Sequence, residues 1–115
     1  MRETQVVTTL LKELKKHGFF WKASDRFQSG IPDIIGCVKG RFIAIEVKID
    51  GNGPTLLQTY NIEKIGQALG FPFVVTYKNK TKTYQIQNTE TTKQGVVEWI
   101  LRHLALHTNW NALTK

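Results

Sequence analysis

Apolar residues recur at helical spacing along the first stretch of the chain, where Val6, Val7, Leu10, Leu11 and Leu14 form one stripe and Lys12, Lys15 and Lys16 lie off it. This predicts an amphipathic helix over residues 2–17, with His17 near its negative end and Gly18 as its C-terminal cap. The period then changes. "GFFWKA" has the character of a short strand, "SDRFQSGIP" carries loop punctuation, and "DIIGCV" and "RFIAIEVKI" are β-branched runs joined at Lys39-Gly40, the pattern of a hairpin. After "DGNGP" helical spacing returns over residues 55–69, with Pro54 at the start, Leu57, Ile62, Ile65 and Leu69 on the buried side, and Gly70 at the end. "FPFVVTY" reads as a buried strand, "KNKT" as a turn and "KTYQIQ" as an edge strand. Thr91 and Gln94 are spaced as a capping box for a last helix whose core face is Val97, Ile100, Leu101 and Leu104. Helix, three strands, helix, two strands, helix is an α/β order, and it predicts a central mixed sheet flanked by helices.

At 115 residues, one domain over residues 1–115 is expected. No apolar run approaches the roughly 20 residues that span a bilayer, and "MRETQVV" has no apolar signal-peptide region, so a cytoplasmic protein without membrane partners is expected. Cys37 is the sole cysteine, which removes intrachain disulfides and thiolate zinc sites. A formal charge of +7 favours a polyanionic partner such as nucleic acid.

That basic excess makes two acids conspicuous. Asp33 and Glu46 sit inside two strongly apolar, β-branched runs, where an unpaired charge costs several kcal/mol to desolvate. With Lys39 and Gly40 at the centre of a tight turn, facing residues have numbers summing to 79, so Asp33 faces Glu46 with Cβ atoms roughly 5 Å apart. Alternation puts Phe42, Ala44, Glu46 and Lys48 on one side of the strand and Ile43, Ile45, Val47 and Ile49 on the other, the better core face. Opposed carboxylates repel unless a proton or a cation lies between them, and an oxygen-only donor set favours Mg²⁺ or Mn²⁺. The plainer alternative pairs Lys48 with Glu46 as a salt bridge and leaves Asp33 as a cap at the strand start.

"Pro32-Asp33", twelve residues, then "Glu46-Val47-Lys48" resembles the PD-(D/E)xK nuclease signature. With "GIPDI", "FIAIEVK", Gln58 in the next helix and Gly70 at its end, the pattern is similar to the virus-type replication-repair nuclease (VRR-NUC) family, close to Holliday junction resolvases; the match runs from residue 3 to about residue 77. The resemblance implies a restriction-endonuclease-like fold, an αβββαβ core with an added strand and C-terminal helix. It implies a Mg²⁺-dependent DNA endonuclease (Mn²⁺ substituting), acting on DNA that includes branched forms, as a homodimer in a bacterial or phage-infected cell. Asp33, Glu46, Lys48 and Gln58 would be catalytic, and Asp33, Glu46 and the Val47 main-chain carbonyl would hold the metal. Glu3 would be the first-helix acid near that metal, although its place equally suits the helix N-terminal dipole.

Lys22, Arg26, Lys39 and Arg41 are the expected DNA contacts, with plain solvated surface as the alternative. Phe19, Phe20, Trp21 and Phe27 are assigned mostly to the core, with base stacking as the other reading. His103 and His107 lack a third ligand and read as surface residues, Cys37 reads as a small hydrophobe, and the helix bearing Trp99 and Trp110 is the candidate dimer surface. A non-catalytic DNA-binding module with the same fold is the rival from another class, and an interaction protein that is basic only for solubility is a third.

Overall fold

The computed structural model describes residues 1–23 and 29–113, with residues 106–113 as backbone only. In chain order the elements are α1 (Glu3–Leu14), β1 (Phe19–Lys22), β2 (Ile34–Val38), β3 (Arg41–Ile49), α2 (Leu56–Gln67), β4 (Phe71–Lys78), β5 (Thr83–Ile86), β6 (Thr89–Thr91) and α3 (Lys93–Leu113). The strands form one sheet in sequential order, antiparallel throughout except where β3 pairs with β4 in parallel. That parallel step needs a crossover, which α2 supplies. The mixed sheet matches expectation, with β6 as a further short strand at its edge.

The hairpin register is the predicted one. Val38 pairs with Arg41, Gly36 with Ile43 and Ile34 with Ile45, each pair summing to 79. Lys39 and Gly40 have φ of 50° and 81°, the paired left-handed conformation of the tight turn whose twist suits a hairpin. At Gly36 a Cβ would lie 2.2 Å from the Phe20 ring, so the missing side chain is what lets β1 close over β2.

Alternation sorts the sheet into two faces. Ile34, Ile43, Ile45, Val47, Phe73, Val75 and Ile86 are buried in one cluster with Val6, Val7, Leu10 and Leu14 of α1 and Val96, Val97, Ile100 and Leu104 of α3. Burying each such aliphatic side chain contributes about 1.5–3 kcal/mol, so this cluster is the main source of stability. Glu13 of α1 is buried beside it and accepts from Lys16 (3.0 Å) and from Gln94 of α3 (3.1 Å), with Lys93 at 3.6 Å.

Several local expectations change. The first helix stops at Leu14 instead of residue 17, and its C-cap is Lys15. Pro54 lies outside α2, whose cap is Thr55. No residue of α2 is buried: Ile62 and Ile65 are half-buried, while Leu57 and Leu69 are 47% and 85% exposed. Leu69 falls off the helical face because it is past the helix, at φ 68°, with the Leu69 amide on Gly66 O and the Gly70 amide on Ile65 O in a Schellman turn. At α3 the capping hydroxyl is that of Thr92, which accepts from the Gly95 amide at 3.0 Å, and Gln94 turns to Glu13 instead of closing a box with Thr91.

Candidate metal centre

Asp33 immediately precedes β2, one step beyond the Ile34–Ile45 pair. Its carbonyl accepts the Ala23 amide at 2.9 Å, and its Oδ2 accepts the Val47 amide at 2.8 Å, so main chain on both sides holds it in place. Glu46 points from the middle of β3 to the face opposite the aliphatic core and is 1% exposed. Glu3 arrives from the first turn of α1. Asn79 fixes that end of the helix: its side chain bonds the Met1 ammonium and carbonyl, and both its amides donate to the Asp50 carboxylate just after β3.

One carboxylate oxygen from each of Glu3, Asp33 and Glu46 lies within 4.8 Å of the other two. Lys48, on the same face as Glu46, brings Nζ to 3.9 Å from Glu46 Oε1. Gln58 donates Nε2 to that same oxygen at 3.2 Å. Among the described residues the other oxygen, Oε2, is buried without a hydrogen-bond partner. An orphaned carboxylate oxygen inside a group of three acids is what a cation would satisfy, and the all-oxygen donor set suits Mg²⁺ or Mn²⁺.

Electrostatics gives the same reading. Burial pushes the Glu46 carboxyl up to about 8; the neighbouring Asp33 carboxyl and the charge of Glu3 add to this, and Lys48 partly offsets it. Glu3 is raised as well, by burial first and then by Asp33. Without a cation, the cluster therefore disfavours three simultaneous negative charges.

Gln58 reaches Glu46 because α2 starts where it does. Thr55 Oγ1 accepts the Gln58 amide at 3.1 Å and Gln58 Oε1 accepts the Thr55 amide at 2.9 Å, a capping box that leaves Nε2 aimed at the carboxylate. Sequence reasoning missed Thr55, although "TLLQ" carries the Thr-x-x-Gln signal. It also missed Asn61, whose Nδ2 donates to the Gly30 carbonyl at 2.8 Å and ties α2 to the segment before Pro32-Asp33. Asn79 and Glu13 had no local signal.

The proposed DNA contacts divide. Lys22 pairs with Ile34 next to Asp33, so it alternates to the face opposite the carboxylates, and it is exposed at the sheet edge. Lys39 and Arg41 instead stand at the hairpin turn, and Arg41 is five residues from Glu46 along β3, about 16 Å away. There Arg41 Nη1 donates to the Lys39 carbonyl at 2.9 Å and Nη2 is buried, so the guanidinium is folded onto the turn. Arg41 and His103 line a cleft of ≈ 960 Å³ between that turn and the end of α2, remote from the carboxylates. Arg26 and Phe27 lie outside the described residues, as do the side chains of His107 and Trp110. His103 packs edge-on against Phe71 and Phe73, and Trp99 packs against the core. Val47 buries its side chain in the core, and its main chain runs against Asp33. Cys37 is exposed and not a core residue.

A solved VRR-NUC domain superposes with a TM-score of 0.57 and 23% identity over 69% of this chain and 87% of that one. The fold is that of a VRR-NUC domain. The Holliday junction resolvase Hjc of the archaeal hyperthermophile Archaeoglobus fulgidus gives the same TM-score at 21% identity, over 73% of this chain and 74% of the resolvase. No family model and no curated protein matches the sequence. At these identities the likeness is one of fold. Among the described residues no helix is long and apolar enough to cross a membrane.

Proposed function

We propose that this VRR-NUC-like chain, one nuclease domain over residues 1–115, is a metal-dependent DNA endonuclease that hydrolyses phosphodiester bonds. The observation that carries the reading is the convergence of Glu3, Asp33 and Glu46 around an unpartnered buried carboxylate oxygen, with a lysine alongside. Asp33 and Glu46, with Glu3 and the Val47 carbonyl, are the groups to hold Mg²⁺ or Mn²⁺. A divalent cation bound there supplies an acidified water and charge stabilisation at a phosphoryl oxygen. Lys48 Nζ orients that water and offsets phosphate charge. Gln58 anchors one oxygen of the Glu46 carboxylate.

The resolvase likeness favours branched DNA as substrate and a homodimer as the working unit, since a symmetric junction needs two cuts. The test is incubation with Mg²⁺ or Mn²⁺ and duplex, flap, single-stranded and four-way-junction DNA, beside Asp33→Ala and Lys48→Ala, with the mass in solution from sedimentation. Cleavage lost in both variants while DNA binding persists supports the reading. Binding by the wild type without cleavage of any substrate overturns it in favour of a non-catalytic module.

A further inference from the structure

The aromatic run at the start of the sheet does not go where its hydrophobicity points. Phe20 is buried, but its neighbours Phe19 and Trp21 turn to the opposite face and remain 67% and 43% exposed. Their rings pack edge to face, with centroids 5.0 Å apart and planes at 79°, so each holds the other in place while both stay open to solvent. Single exposed hydrophobes are ordinary on protein surfaces, whereas an ordered aromatic pair on a sheet face is a candidate surface for a ligand.

Register sets where that pair stands. Phe19 pairs with Cys37 and Cys37 with Phe42; Trp21 pairs with Ile35 and Ile35 with Ala44. The next row on this face is Asp33 with Glu46, two residues along, about 7 Å from the Trp21 row. The aromatic pair is therefore on the same face as the carboxylates and beside them. The acids of the metal centre bound it on one side, and no acid lies from Phe19 to Lys22 or from Ile34 to Ala44. A phosphate held at those acids through a cation would leave its base beside the aromatic rings, so the fitting occupant carries an anionic group and flat apolar rings.

We infer that Phe19 and Trp21 form a stacking platform for an unpaired nucleobase next to the phosphate to be cut. The inference rests on the nuclease reading for the phrase "to be cut" and on the surface alone for the stacking. Duplex bases have their faces occupied by their neighbours, so the platform takes single-stranded or splayed nucleic acid. A second copy of the chain is the competing occupant, and the mass in solution of Trp21→Ala tests for it.

The experiment measures binding in EDTA, where no cleavage occurs, by anisotropy of a labelled single-stranded oligonucleotide and of an abasic strand of equal length and charge. The wild type is expected to favour the base-bearing strand; Trp21→Ala is expected to lose about tenfold on that strand and less than twofold on the abasic one, and Trp21→Phe to recover most of the loss. Circular dichroism checks that the variants fold. A Trp99→Phe, Trp110→Phe protein, with Trp21 as its one tryptophan, gives an independent readout: base-bearing strands quench its emission and abasic strands do not. Equal loss on both strands, no loss on either, no wild-type preference, or a Trp21→Ala protein whose mass in solution changes would each overturn the platform. A protein that binds in this way yet never cuts with Mg²⁺ overturns the nuclease reading and leaves the platform standing.

Discussion

Glu46 is the residue on which the centre turns, because β3 forces its carboxylate into a site that its own charge disfavours. Its carboxyl is pushed up to about 8, mainly by burial, from the ordinary 4.5 it would have in the unfolded chain. A group whose folded value is raised stabilises the fold fully below the unfolded value and loses that contribution as pH rises through the folded one. In EDTA, the melting temperature is therefore expected to fall as pH goes from about 4.5 to about 8, with Glu3 acting in the same direction. Glu13 and Asp50, both lowered, act with the opposite sign below their ordinary values of 4.5 and 3.8, outside that window. Glu46→Gln is expected to flatten most of the slope and to melt above the wild type at pH 8, since no charge is then buried. Metal should reverse the order. Mg²⁺ is expected to raise the wild-type melting temperature and to bind more tightly as pH approaches 8, because a proton must leave, and to do neither in Glu46→Gln. A Glu46→Gln protein that keeps the full pH slope would remove Glu46 as its cause.

At the scale of an element, α2 is held at its ends more than by its face, since none of its residues is buried. Thr55→Ala removes the capping hydroxyl and is expected to cost about 1 kcal/mol in urea unfolding. It should also slow cleavage, because Gln58 then loses the fixed geometry that aims it at Glu46. Restoring the hydroxyl with Thr55→Ser should recover both. At the other end, Leu69 adopts a left-handed conformation that an L side chain resists by about 1–2 kcal/mol. Leu69→Gly is expected to raise stability by roughly 0.5–1 kcal/mol, the gain being trimmed by glycine's greater freedom in the unfolded chain. These ends also show what the sequence can carry. The hairpin and the Asp33–Glu46 pairing were legible, because a two-residue turn and strict alternation fix a register. The Thr55–Gln58 box was legible in "TLLQ", next to the competing start signal of Pro54. What was not legible depends on contacts distant in sequence: Gln94 meeting Glu13, Asn79 holding the start of α1 so that Glu3 reaches the acids, and the edge position of β1 that leaves Phe19 and Trp21 in the open.

For the whole molecule, the +7 charge matters through where its cations are free to act. Each phosphate neutralised on duplex DNA adds about 0.9 to the slope of log affinity against log salt concentration. Lys22 and Lys39 are exposed at opposite ends of the five-residue β2, a span of about 13 Å. Arg41 differs. With Nη1 on the Lys39 carbonyl and Nη2 buried, it is committed to the hairpin turn. Lys22→Gln and Lys39→Gln are therefore each expected to lower the salt slope by about 0.9, and together by twice that, with little change in melting temperature. Arg41→Gln is expected to leave the slope unchanged and to lower the melting temperature, since its loss is structural. Bridging 13 Å takes about four base pairs at 3.4 Å each, so on a shorter duplex the two lysines cannot act together and the double variant should resemble one single variant. The measurement is anisotropy in EDTA between about 50 and 200 mM salt. An Arg41→Gln protein that loses slope while keeping its melting temperature would return Arg41 to the DNA surface and take the guanidinium off the turn.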